Sequence, residues 1–263
     1  MTKYTIKNFS SVAALNDYCD NTPAVKGWTC AASTTGSARF TGTENYDEAR
    51  RLSETGCPDI VKGLKNNLSK FQSARVQPRR ATFDNICGYL PNVPAYIAGR
   101  PLSMYDSRPN PIKTKVLDII YCVSVDYSKN TAQMIEAGSA VIQAIQDLES
   151  AGYRCNLYCN VTCVFDSGSR VVSISTRVKN STEYFNLSRI SYAVANPSYL
   201  RRHAFKVIET LGLEYYNKGY GYVSNTEFRN SLKPGQIGIA ADELIGNPGA
   251  VTDIIKRQIK QLA

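Results

Sequence analysis

The residues with the most chemistry in them sit in one short stretch, Asp126-Tyr127-Ser128-Lys129-Asn130. A carboxylate, a hydroxyl and an amide this close together offer hard oxygen ligands of the kind magnesium and calcium take. Lys129 sets a cation among them. The other carboxylates available for hydrolysis are Asp84, Asp106, Asp118 and Asp242. No pair among these and Asp126 has a spacing that predicts a two-metal site. The single histidine, His203, follows Arg201 and Arg202. One histidine argues against a His-rich metal site and against a Ser-His-Asp triad. The eight cysteines are Cys19, Cys30, Cys57, Cys87, Cys122, Cys155, Cys159 and Cys163. The last three step by four, which on a strand sets them in a row instead of converging on a point. With no CxxC, the expectation is buried core thiols and no cluster. Ser167-Gly168-Ser169 reads as a turn, and nothing matches a P-loop or a GxGxxG fingerprint.

The elements that must position these residues follow from periodicity. Residues 115–126 form a Val- and Ile-rich run that reads as a strand. Met134, Gly138, Val141, Ile142, Ile145 and Leu148 fall three or four apart and share one helical face over 131–151. Gly152 stands at the C-cap position. A second strand covers 154–165, with Cys155, Leu157, Cys159, Val161 and Cys163 on one face and Asn156, Tyr158, Asn160 and Thr162 on the other. The unit is a βαβ with a right-handed crossover. It puts Asp126 at the carboxyl end of its strand, where open α/β sheets hold ligands. A tight turn then leads to 170–178, an antiparallel strand expected at the sheet edge. Helices follow over 185–195 and 196–211, a short strand over 219–223, a helix over 226–232, a strand over 236–240 and a closing helix over 248–262.

Residues 1–110 read as a mainly helical extension, and 111–263 as the α/β domain. The extension opens with a short edge strand over 3–7, and a helix capped at Ser10 or Ser11. A small-residue loop over 27–43 has Trp28 and Phe40 as anchors. A helix begins near Thr43, and another at Cys57-Pro58 carries Ile60, Leu64, Leu68 and Phe71 on one face. Residues 86–101 are dense in Gly and Pro yet apolar, unlike a plain linker. The expectation is an ordered segment packed on the sheet.

The chain has 263 residues, 43% of them apolar, which is enough for a core. It carries 31 basic against 22 acidic residues, a net charge of +9. That balance favours acidic partners. With 17 tyrosines for stacking, it makes nucleic acid a candidate ligand. The contacts would come from Arg75, Arg79, Arg80, Arg201, Arg202 and Lys206, and from Lys256, Arg257 and Lys260 on the last helix. The amino terminus is polar and no apolar run approaches a membrane span. The expectation is a cytosolic protein with reduced thiols and no membrane partner.

From Lys115 the order β-α-β-β-α-β-α-β-α, with its third strand antiparallel, resembles the von Willebrand factor type A fold over about residues 115–263. That family carries D-x-S-x-S after the first strand. Here Asp126 and Ser128 match, and Asn130 replaces the last serine. The loop Ser224-Asn225-Thr226-Glu227 lacks the family's aspartate. The resemblance implies a Rossmann-like, mostly parallel sheet flanked by helices, with the extension packed on it. It also implies a degenerate magnesium or calcium site, with a ligand edge built by Asp126, Ser128, Asn130 and Ser224 and no other cofactor.

A second resemblance joins Phe40-Thr41-Gly42-Thr43 and Tyr46-Asp47-Glu48-Ala49 with Gly88 to Pro94, Tyr96 to Pro101 and Met104. It runs on to Pro197-Ser198-Tyr199-Leu200-Arg201-Arg202-His203-Ala204-Phe205. This pattern is similar to an uncharacterised family encoded by bacteriophages and prophages. It implies a phage or mobile-element product in the host cytoplasm or the virion. The expected function is non-catalytic, binding or assembly with a phage or host protein, or with further copies of itself. The alternative is nucleic-acid binding through a basic, tyrosine-rich surface. A metal-dependent hydrolase or nuclease is the third reading.

Overall fold

The computed structural model describes residues 2–25, 38–68, 79–88, 90–109, 115–213 and 220–261; the side chains of residues 39, 79–84, 106–109, 167 and 261 lie outside that description. The leading region holds β1 (Lys3–Phe9), α1 (Val12–Asn21), α2 (Ala38–Thr41), α3 (Tyr46–Thr55) and α4 (Pro58–Leu68). Then come β2 (Arg79–Asn85), β3 (Leu90–Pro91), α5 (Val93–Ile97) and β4 (Met104–Pro109). The central unit is β5 (Val116–Cys122), α6 (Thr131–Ser150), β6 (Arg154–Phe165) and β7 (Arg170–Lys179). Next are α7 (Leu187–Ala195) and a π-type turn (Tyr199–Ala204) running into α8 (Phe205–Glu209). The chain closes with α9 (Asn225–Asn230), β8 (Gln236–Ala240), α10 (Ala241–Leu244) and α11 (Ala250–Gln261).

Five strands make one mostly parallel sheet in the order β1-β7-β6-β5-β8, flanked by helices. β5 pairs in parallel with β6 and β8. Leu117 lies opposite Cys155, and Tyr121 opposite Cys159. The inward residues of these strands, such as Ile119, Leu157 and Val161, are buried with Ala137, Val141 and Ile145 of α6. α6 starts where its sequence says a helix can. The Asn130 side chain accepts from Gln133 N, and the Gln133 side chain accepts from Asn130 N, a reciprocal capping box. Leu15 and Cys19 of α1, Tyr46 and Ala49 of α3, and Ile60 and Leu64 of α4 belong to the same core. α6 packs closely on α7 at Gly138, where an added Cβ would stand 2.8 Å from Val194 Cγ1.

Several expectations are corrected. β7 is antiparallel to β6 but is not the edge. β1 lies outside it, pairing in parallel from Lys3 opposite Arg170 to Phe9 opposite Thr176. The first strand of the βαβ stops at Cys122; beyond it Val123 N donates to Asn160 O at 2.8 Å, and the chain then leaves the ladder. Of the strand expected over 219–223, residues 220–223 are described, and they make a single bridge between Tyr222 and Val164. The helix expected over 196–211 opens as a π-type turn and ends at Glu209.

The largest correction concerns residues 86–101. Among the described residues they make no extensive contact with the main sheet. With β2 and β4 they build a separate three-stranded sheet in the order β2-β4-β3. Among the described residues these strands make their main contacts with one another. Apolar side chains there face outward: Ile86 is 76% exposed, Tyr96 73% and Ile97 78%.

At the β8 edge of the main sheet, one rung is closed by a side chain. Gln258 of α11 accepts from Gly238 N at 2.9 Å and donates to Gly238 O at 2.8 Å. It stands in for the backbone of a neighbouring strand at that rung.

Six of the described cysteines, Cys19, Cys57, Cys122, Cys155, Cys159 and Cys163, are free and buried, while Cys87 is exposed. Burial pushes the Cys155 and Cys163 thiols up to about 12. Thiolate is the reactive form. In a native thiol titration Cys87 is therefore expected to react at once, and the six buried thiols only after denaturant is added. Rapid native modification of Cys159, located by mass spectrometry, would contradict this arrangement.

Candidate functional site

At the carboxyl end of β5 the chain turns through the loop singled out by its oxygens. Asp126 Oδ1 accepts from Ser128 N at 3.0 Å. That bond, and then the nearby Lys129 charge, hold the exposed Asp126 carboxyl below its usual range. Asn130 caps α6, and Ser224 accepts from Glu227 N at 3.3 Å to cap α9. The oxygens of Asp126, Asn130 and Ser224 thus each accept a local backbone bond. Among the described residues no three His, Cys, Asp or Glu side chains gather into a group that could hold a metal ion. Asp242 is exposed on α10, and Asp118 lies within β5. The Asp84 and Asp106 side chains lie outside the described residues.

The basic candidates divide. Arg201 and Arg202, expected on the surface, are buried, at 4% and 1% exposure. Arg201 donates to Phe40 O and, at 3.4 Å, to Lys129 O, with its guanidinium 3.9 Å from the Phe40 ring centroid. Burial pulls its pKa down and the Asp126 charge pushes it up. Arg202 donates to Thr43 O at 3.2 Å and Glu44 O at 2.9 Å. Buried guanidiniums bonded to carbonyls are held away from phosphates. The Lys206 ammonium sits 3.6 Å from the Tyr46 ring centroid. Lys256, Arg257 and Lys260 are exposed on α11. Arg79 and Arg80 lie on β2 with side chains outside the described residues, as is all of Arg75.

What the arginines do is clasp two distant stretches. Ser198 Oγ donates to Thr41 O at 2.6 Å and lies 2.8 Å from Thr43 Oγ1. Gly42, at φ +80°, passes so close to Asn196 that an added Cβ would be 2.5 Å from Asn196 Oδ1. One helical turn on, His203 is fully buried. Its Nε2 is 2.8 Å from Asn16 Oδ1, and its Nδ1 is 2.6 Å from the Tyr192 hydroxyl. Asn16 Nδ2 in turn donates to Ser53 Oγ at 2.9 Å. The network joins α1, α3, α7 and the π-type turn. Sequence reasoning reached His203 but missed Asn16, Ser53 and Tyr192; each sits on an inward helical face, and that periodicity was the available signal.

The small sheet carries the surface feature that sequence reasoning missed. Asn92 caps α5 by accepting from Ala95 N at 3.3 Å. Val93, Tyr96 and Ile97 then fall at i, i+3 and i+4, which puts them on one face. All three are exposed, with Ile86 and Leu90 also outward. The spacing was legible; that the face looks away from the core was not. Among the described residues no helix is long and apolar enough to cross a membrane.

No curated protein and no solved structure matches the chain. A family model described as a domain of unknown function, DUF7192, matches residues 1–247. That span takes in both sheets, the clasp and the strand-end loop, from β1 through α10. The chain therefore belongs to the DUF7192 family.

Proposed function

We propose that the protein acts by binding and not by chemistry, and that the small sheet of residues 79–109 is its docking element. The observation that carries this reading is the outward apolar face of Val93, Tyr96 and Ile97 with Ile86, on a lobe whose strands form a sheet of their own. Contiguous exposed apolar surface of this kind is characteristic of interaction sites, and a large aromatic beside aliphatics is the usual anchor composition. The lobe contains four arginines (Arg79, Arg80, Arg100, Arg108) against two aspartates (Asp84, Asp106). Its occupant is accordingly a different protein with an apolar groove rimmed by acidic residues. The phage and prophage resemblance makes that partner a phage or host protein, met in the host cytoplasm or the virion. The antiparallel β7 supports a von Willebrand factor A-like sheet as the finer fold.

Paired captures from infected cells, with wild type and with Tyr96→Asp/Ile97→Asp, test this. One acidic-rimmed partner is expected to be lost in the variant, and direct calorimetry on it should show a drop of roughly a hundredfold or more. Equal binding by the variant refutes the lobe as the docking element. Sedimentation adds a second arm: dimers that the substitutions dissociate would make the occupant a second copy and refute the proposed partner.

A further inference from the structure

The face of the main sheet opposite the large core is only partly covered. Phe228 of α9 joins Ile120, Cys122 and Ala240 there in a small second cluster, with Tyr158 and Leu232 against it. Beside that cluster opens a pocket of about 340 Å³, floored by β5, β6 and β7 and walled by β1 and the segment after α9. Ligand pockets run from about 300 to 1,000 Å³, so this one suits a single ring-sized molecule.

The floor is polar and held in place. Asp118 Oδ1 accepts from Asn156 Nδ2 at 2.7 Å, which orients the carboxylate. A carboxylate has about four acceptor sites, so capacity remains for a ligand's N–H or O–H. Asn160, buried beneath, donates to Ser173 Oγ at 2.9 Å and accepts from Thr162 Oγ1 at 2.7 Å. Since Ser173 Oγ accepts that bond, its own proton points elsewhere and is a donor. Burial, then the Asp118 charge, keeps the Tyr158 hydroxyl protonated, another donor. Phe9, Ile120 and Leu232 supply apolar wall for a ring face. Asp118 and Lys233 are the charged side chains in the lining, one of each sign. Those two charges cancel within the lining, and Arg177, next to Tyr158, donates its Nε to Ser10 O at 3.2 Å.

We infer that this pocket binds one uncharged ring bearing both hydrogen-bond donors and acceptors, a monosaccharide or a nucleobase, with Asp118 as its acceptor. The inference stands independently of the lobe, which lies on the other sheet.

Saturation-transfer NMR on the full chain tests it. The probes are glucose, galactose and N-acetylglucosamine in one arm, and adenosine, guanosine, cytidine and uridine in the other. Transfer to members of one arm is expected and identifies the source of the ring. Asp118→Asn is expected to weaken the responding probe by roughly tenfold. Ser175→Tyr, which fills the pocket from its floor, should abolish the signal, with thermal melting verifying that each variant is folded. Silence from every probe at millimolar concentration overturns the inference, as does unchanged affinity in Asp118→Asn.

Discussion

Lowering the pH from 6.5 to 4.5 is expected to remove roughly 2–3 kcal/mol of stability, and the loss is expected to trace to His203. An amide oxygen only accepts, so the contact with Asn16 Oδ1 means that His203 Nε2 carries the proton and Nδ1 accepts from Tyr192. A second proton, on Nδ1, would break the bond donated by Tyr192 and force that hydroxyl to turn round and accept. Burial, with the Lys206 and Arg50 charges adding to it, pushes the imidazole down to about 3. In the unfolded chain it titrates at its ordinary 6.5. Below that pH the unfolded chain takes up a proton that the folded chain refuses. The contribution is therefore intact above 6.5 and drains away as the pH falls toward 3, at about 1.4 kcal/mol per pH unit. Asp20 and Asp126, held below their usual range, act only at lower pH. The chain has one histidine, so the assignment is clean. Urea midpoints across this window, for wild type and His203→Gln, decide it. The variant is expected to be weaker at neutral pH but nearly flat across the window; parallel slopes would remove His203 from the account.

Gly42→Ala is expected to cost roughly 2–5 kcal/mol, combining left-handed backbone strain with overpacking. The new methyl would stand 2.5 Å from Asn196 Oδ1 and 3.1 Å from both Pro197 Cδ and Ser198 Oγ. Asn196 cannot swing away cheaply, because its Oδ1 accepts from Ser198 N at 2.8 Å and its Nδ2 donates to Cys57 Sγ at 3.3 Å. Gly99→Ala is the control. It too has positive φ, at +68°, but nothing lies within 4 Å of the added atom. Its cost should be the strain alone, roughly 1–2 kcal/mol. The difference between the two, read from denaturant melts, measures the clasp. Equal costs would mean that the clasp yields freely.

The β5-α6-β6 unit was legible because its signals are local. Strand alternation, helical spacing and the Asn130–Gln133 capping pair all lie within a few residues of one another. The edge place of β1 was legible too, but its partner was not, since β7 lies far along the chain and no local pattern names it. Residues 86–101 announced order through apolar content, but composition carries no direction, so an outward face read as a packed one. Arg201 and Arg202 looked like surface charge because the carbonyls that bury them come from Phe40, Thr43 and Glu44. The strand-end loop fell where ligands gather, yet the same Asx and capping chemistry that draws attention to its oxygens also occupies them.

The side-chain amide of Gln258 gives the main sheet a finished margin. A second molecule approaching β8 edgewise finds the Gly238 rung already filled, and must first displace a bidentate contact made within the chain. On the opposite margin, β1 presents Lys3 and Lys7, and like charges meet when two such edges align. Crowding many copies together should therefore leave these sheets as separate units, so that any ordered assembly is written in side chains and not in shared backbone ladders.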